Sequence, residues 1–249
     1  MGRKIMVVTA AYGAEQVRQA GGQRAMLPVI AGAGADGVEI RRELFNSEEL
    51  LALPALSESI ELMGLLACYS APAALFMPDG TLNPDLPRYL SEANTLNALW
   101  LKVSLGHFSD TQPLDALRAL LNASGMALVV ENDQTDCGQL APMRRFQAVC
   151  REMALPVTLT FDMGNWLWVG DSPEEAARHL APAVSYIHVK AAVPHKDNFR
   201  AVAPDRADAR WLDLLGQLPV DAPRGIEFPL EGADLTAVTR HYVNLLREE

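Results

Sequence analysis

Hydrophobic positions along this chain alternate between two regimes. Short runs rich in Val, Ile and Leu begin about 25–40 residues apart, at Lys4–Thr9, Gly37–Arg41, Leu65–Ser70, Leu99–Ser104, Ala127–Glu131, Val157–Asp162, Ser185–Lys190 and Gly225–Phe228. Between them lie longer Ala/Leu stretches with helical spacing. Pro113 to Ala123 puts Leu114, Leu117, Leu120 and Leu121 on one face, and Thr236 to Leu246 does the same with Val238, Tyr242, Leu245 and Leu246. Ser172-Pro173-Glu174-Glu175 reads as a helix opening, with a Ser cap, Pro in the first turn and acids against the positive end of the dipole. Asn83-Pro84-Asp85 and Thr111-Gln112-Pro113-Leu114-Asp115 are openings of the same kind. Strands alternating with helices imply a parallel sheet.

Eight such runs, each followed by a helical stretch, predict an α/β chain folded as a single (β/α)₈ TIM barrel over residues 1–249. The rival is a doubly wound open sheet, which usually carries a Gly-rich turn after its first strand. Here Ala10-Ala11-Tyr12-Gly13 follows instead, and Gly32-Ala33-Gly34 reads as a helix stop before the second strand. The one stretch with an irregular pattern is Ala191 to Asp208, with Pro194, Pro204 and several charges; it is either a lid or a long loop.

Composition agrees with a large core and narrows the partners. Hydrophobic residues make up 49% of the 249 and aromatics 6%. The net charge of -10 and the lack of a long Lys/Arg cluster disfavour nucleic acid, whose phosphates demand a basic footprint. A membrane-surface role is disfavoured on the same ground. Cys68, Cys137 and Cys150 have no metal or disulfide spacing, so they are expected to be reduced thiols in a cytoplasm. The opening Met1-Gly2-Arg3-Lys4 with Ile5–Val8 has too short an apolar run for a signal peptide, with Glu15 and Arg18 soon after, and reads as a first strand. No run approaches the roughly 20 apolar residues of a membrane span.

In such barrels the chemistry sits at the C-terminal ends of the strands. The fifth run ends on Glu131, the sixth on Asp162, the seventh carries His188 and the eighth Glu227. They are separated by 31, 26 and 39 residues, about one strand–helix unit each, which places them on consecutive strands at similar heights. Any one acid at a strand end is as a rule a cap or an ion-pair partner, and a lone His is as a rule a satisfied core residue. Three carboxylates and an imidazole converging are different. In a low dielectric the carboxylates repel and at least one stays protonated unless a cation joins them. The set suits Mn²⁺ first, or Mg²⁺, and tolerates Co²⁺, Ni²⁺ or Zn²⁺.

With these residues in place, the chain resembles the xylose-isomerase-like barrel superfamily, which includes the tagatose and psicose 3-epimerases. The resemblance runs from Asp36-Gly37-Val38-Glu39-Ile40 to Gly225-Ile226-Glu227, and Val130-Glu131-Asn132-Asp133-Gln134-Thr135 is similar to epimerase-like proteins of 2-ketogluconate utilisation. It implies a metal-dependent isomerase or epimerase of a small ketose or keto-sugar acid. Glu131 and Glu227 would be the catalytic pair, passing a proton through a metal-stabilised enediolate. It implies dimers or tetramers as well. Two positions depart from the pattern: Asn165 stands where a substrate-binding His is usual, and Ala191 follows Lys190 where Asp is frequent.

The remaining candidates for substrate binding are Asn165, Lys190, Arg41, Lys102, Tyr69 and Trp166, with Trp168 beside them. Arg41, Lys102 and Lys190 either neutralise the carboxylate or phosphate of a sugar acid or join Glu39 in an ion network inside the barrel. Tyr69, Trp166 and Trp168 either wall the pocket or simply pack. His107 and His195 read as surface residues. A dehydratase, which ejects a β-hydroxyl from the same enediolate, and a catalytically inactive sugar-binding barrel remain as alternatives. An endonuclease of the related DNA-repair branch lacks its extra histidines here and has the wrong charge.

Overall fold

The computed structural model describes residues 3–110 and 114–249. Eight parallel strands close into a barrel: β1 Ile5–Val8, β2 Gly37–Arg41, β3 Leu66–Phe76, β4 Leu101–Gly106, β5 Leu128–Glu131, β6 Val157–Asp162, β7 Val184–Val189 and, after a hairpin, β10 Arg224–Ile226. The hairpin pairs β8 Ala191–His195 with β9 Asn198–Val202 in antiparallel fashion. The stretch expected to be an irregular loop or lid is therefore ordered β structure over much of its length. Val193 and Val202 supply apolar positions on one face of the hairpin, and Phe199, on the other, packs on Trp168 with ring centroids 5.5 Å apart.

Other boundaries shift for local reasons. β3 runs on to Phe76 past a register break between Ser70 and Ala74, where Pro72 has no N–H to give the ladder. β4 begins two residues later than expected, at Leu101. Lys190 and Glu227 each lie one residue beyond the ends of β7 and β10. The helix expected from Pro113 is seen over Asp115–Ser124; its predicted opening at Thr111–Pro113 lies outside the described residues. Ser172 caps the helix Pro173–Leu180 by accepting from the Glu175 N–H at 3.2 Å. Gly34, at φ +82°, ends the segment after the helix Leu27–Gly32 in the left-handed region that glycine tolerates.

Strand alternation divides the interior in two. Ile5, Val7, Val38, Ile40, Leu101, Val103, Leu128, Val130, Phe161 and Ile187 join the large core between strands and helices. The opposite faces fill the barrel itself. There Met6, Cys68, Trp100, Val129 and Tyr186 form a small separate apolar cluster. The next inward positions, Glu39, Lys102, Glu131, Asp162 and His188, are polar, and all but Glu131 are fully buried. The barrel therefore has an apolar floor and a charged mouth. Among the described residues no helix is long and apolar enough to cross a membrane.

One glycine is tied to this arrangement. A Cβ on Gly225 of β10 would lie 2.2 Å from the Tyr186 hydroxyl oxygen and 3.2 Å from His188 Cδ2. Gly225→Ala is expected to cost about 1–3 kcal/mol, as overpacked cores do, and urea unfolding would measure it. A variant as stable as the parent would show that the Tyr186 ring moves aside freely.

Candidate metal centre

Four strand ends deliver the cluster. Glu131 closes β5, Asp162 closes β6, His188 stands near the end of β7 and Glu227 follows β10. One ligand atom from each lies within 4.8 Å of all the others. His188 Nδ1 is 2.6 Å from Glu131 Oε1, 3.0 Å from Glu227 Oε2 and 3.8 Å from Asp162 Oδ2. Glu131 Oε1, Asp162 Oδ2 and His188 Nδ1 are buried yet make no hydrogen bond of good geometry. Buried polar atoms are rarely left so, and three aimed at one point match the donor set of a hard divalent cation. The residues present thus fit a metal.

The far oxygens of the cluster are held in place. Asp162 Oδ1 accepts from the backbone N–H groups of Gly164 and Asn165 at 3.0 and 2.9 Å. The Asn132 side chain brackets the Asp162 backbone, donating to its carbonyl at 3.0 Å and accepting its N–H at 2.9 Å. Glu131 Oε2 pairs with the Lys102 ammonium. Glu227 Oε1 accepts from Arg41 at 2.8 Å, and its Oε2 from Lys190 at 2.9 Å. Lys190 Nζ also stands 2.8 Å from Asp162 Oδ2. Beneath them Glu39 Oε2 lies 2.7 Å from His188 Nε2 and accepts from the Tyr186 hydroxyl at 2.8 Å.

Arg41, Lys102 and Lys190 are thus each engaged by a carboxylate of the site, and Arg41 also bonds Glu43 at the rim at 2.8 Å. Of the two readings open for these cations, the structure displays the ion network. Asn165 is buried and its amide is spent elsewhere, donating to the Asn132 carbonyl at 2.9 Å and accepting from Gln134 at 3.0 Å. Tyr69 and Trp166 do not reach the mouth. Tyr69 sits on the outward face of β3 and donates to Glu92 at 2.7 Å; Trp166 packs on the outward Phe161, centroids 5.4 Å apart. For Tyr69 strand alternation is the reason, since its neighbour Cys68 takes the inward position; Trp166 lies on the short helix Asn165–Trp168 and packs into the core between strands and helices. His107 and His195 are exposed. Sequence reasoning treated Glu39 only as a network member and overlooked Tyr186 and Asn132. The available signal was spacing by two, since Glu39 shares a face with Arg41 and Tyr186 with His188.

The charges set the protonation. Burial pushes Glu131 up, but Lys102 and His188 outweigh it and hold the carboxyl at about 2. Glu227 is likewise held well below the ordinary value by His188, Lys190 and Arg41 against its burial. Asp162 is the exception: burial raises it, and Lys190 offsets this only in part. Burial lowers His188, yet Glu227, Glu39 and Glu131 carry it well above the usual imidazole range. Protonated His188 with the three cations balances the four carboxylates of the mouth. A metal ligand must be neutral imidazole, so binding a cation releases that proton.

A stability profile follows. The His188 contribution is full below its ordinary 6.5 and is lost as pH rises through the raised value. The Glu131 contribution is full above 4.5 and is lost as pH falls toward about 2. Protein stripped of metal should therefore lose melting temperature both in acid and on the alkaline side of neutrality. Saturating Mn²⁺ should remove the alkaline decline, because the metal then does what the proton did. Thermal melts across pH with EDTA and with Mn²⁺ check this; an alkaline decline identical in both would exclude it.

A cavity of about 300 Å³ opens beside Glu227, walled by Tyr12, Gly13, Ala201, Phe228 and Pro229. It lies between the loop after β1 and the β8–β9 hairpin, at the lower end of the size range of small-molecule sites.

No family model matches the chain, and no curated protein sequence does. Solved structures match it over nearly its whole length. A 3-keto-D-glucoside 4-epimerase, YcjR, from E. coli is 17% identical, with 91% of this chain and 94% of that one covered and a TM-score of 0.64. A D-psicose 3-epimerase, solved in the presence of D-fructose, is 14% identical, covering 98% and 96%, at 0.65. The IolI protein, solved with a zinc atom, is 14% identical, covering 98% and 95%, at 0.68. The likeness is one of fold: this chain and these proteins share a single closed (β/α)₈ barrel.

Proposed function

We propose that this chain is a metal-dependent sugar isomerase or epimerase acting on a small ketose or keto-sugar acid, with Glu131 and Glu227 as its acid/base pair. The observation that carries the reading is the convergence of Glu131, Asp162, His188 and Glu227 within 4.8 Å at the mouth of the barrel. The epimerases among the structural neighbours, and the zinc atom bound in a further neighbour, support it.

A divalent cation held by these four, Mn²⁺ first, with Mg²⁺, Co²⁺ or Zn²⁺ also suited, supplies Lewis-acid polarisation of a carbonyl oxygen. The rest falls to the side chains. Both glutamates are ionised and so can accept a proton. One takes the proton alpha to the carbonyl; the other, on the opposite side of the mouth, must first take up a proton from solvent, which it then gives to the far face. Lys190, between Asp162 and Glu227, is placed to donate to a substrate oxygen that enters beside Glu227. Arg41 and Lys102 keep the glutamates charged and oriented. A metal-loaded mouth with neutral His188 carries one surplus positive charge, which favours negative charge developing on the substrate oxygen.

The test is a screen of ketoses and keto-sugar acids against the Mn²⁺-loaded protein, with products read by NMR. Epimerised or isomerised sugar supports the reading. A dehydrated product would mean that the same proton abstraction ends in loss of a β-hydroxyl. Binding of sugars with no turnover of any would leave the sugar-binding barrel.

A further inference from the structure

We propose that Glu39, clamped by Tyr186, fixes which ring nitrogen of His188 faces the metal cluster, and is a positioning residue for metal binding. The inference rests on the metal-site reading above and extends it one layer deeper. Glu39 is wholly buried, on β2, across the barrel from His188 on β7. A carboxylate can only accept, so the 2.7 Å contact with His188 Nε2 requires the proton on Nε2. When metal binding releases the second ring proton, it is Nδ1 that turns a lone pair toward Glu131, Asp162 and Glu227.

Tyr186 completes the clamp from below. Its hydroxyl donates to the same Glu39 oxygen at 2.8 Å, while its ring stands on the apolar floor, 4.8 Å from the Trp100 ring and edge-on to His188 at 5.0 Å. The missing side chain at Gly225 leaves the space this hydroxyl occupies. The rival role for Glu39 is a plain counter-ion of Arg41 and Lys102. Those contacts are longer, at 3.7 and 3.9 Å, and both cations have closer partners in Glu227 and Glu131. The His188 and Tyr186 contacts are the short ones. A carboxylate behind a ligating histidine restricts the ring and raises the basicity of the metal-facing nitrogen.

The test uses the whole chain, stripped of metal and titrated with Zn²⁺ in a calorimeter, alongside ¹⁵N NMR of labelled histidine. The parent should bind Zn²⁺ with His188 protonated on Nε2 and metal-bound through Nδ1. Glu39→Gln should weaken Zn²⁺ binding by about 10–100-fold, and Tyr186→Phe should weaken it less, in the same direction. Both should shift the Nε2–H resonance, which a loss of bulk stability alone would not do. Glu43→Gln, at the rim beside Arg41, should leave Zn²⁺ affinity unchanged. Glu39→Gln affinity within about twofold of the parent, or Zn²⁺ bound through Nε2, overturns the inference while leaving the metal site standing. No Zn²⁺ binding by the parent overturns the metal reading itself. If Glu39→Gln does not fold by circular dichroism, Tyr186→Phe decides on the same two readouts.

Discussion

Glu131→Gln and Glu227→Gln are each expected to lower kcat by roughly the 10²–10⁴ that loss of a general base costs, with a smaller loss of metal. Gln keeps a carbonyl oxygen for a cation but takes no proton near neutral pH. The two variants should differ in stability, because their ion pairs differ in burial. In Glu131→Gln the ammonium of Lys102, 2% exposed, would face a neutral amide, whereas in Glu227→Gln the less buried Arg41 keeps Glu43. Circular dichroism separates this from the catalytic loss. Isotope exchange gives the sharper measurement. In D₂O the parent should place solvent deuterium at the carbon alpha to the carbonyl. A variant with one base should exchange the proton of one epimer without epimerising it. Turnover with no deuterium entering the substrate would point to a hydride shift, with both glutamates reduced to ligands.

His188→Ala and Asp162→Ala should abolish tight divalent-metal binding, since each removes one of only four side-chain donors. In the parent, a cation bound by the folded state alone stabilises by mass action, about 2.7 kcal/mol at a hundredfold excess over Kd. For a chain of this length that is a rise of about 5–11 °C in melting temperature. Calorimetry and thermal melts, with EDTA and then Mn²⁺ to millimolar, measure both effects. Asp162→Asn makes a further distinction. Burial raises this acid above its ordinary value, so its charged form destabilises the empty site at neutral pH. The Asn variant should therefore melt no lower than the parent without metal, and should gain less than the parent when metal is added. If all these variants bind metal as the parent does, the cation sits elsewhere.

These effects cluster where the chain is least suited to its own stability. Charged side chains fill the barrel mouth against repulsion and desolvation, and a mutual ion network reconciles them. The hydrophobic positions in the helices and outer strand faces show no such conflict.

The barrel was legible in the sequence because its signal is local. Eight apolar runs with helical stretches between them specify strands and returns whatever the details of packing. The strand-end rule then picked out Glu131, Asp162, His188 and Glu227, because one strand–helix unit per residue is a spacing that can be counted. The lateral half of the site lay beyond that reasoning. Whether Arg41, Lys102 and Lys190 face a ligand or their own carboxylates depends on distances between strands far apart in the chain. The same holds for the pairing of Glu39 with His188, 149 residues away. Asn165 had a strand-end position but loses its amide to Asn132 and Gln134 on the neighbouring loop. Tyr69 had the right chemistry and the wrong face of its strand, Trp166 packs on Phe161 from the short helix after β6, and the hairpin after β7 looked irregular because it pairs only with itself. Local periodicity determines which elements form and which face of each turns inward. Closure of the barrel alone decides which inward side chains meet, because only closure brings β2 opposite β7 and sets their charges within reach of one another.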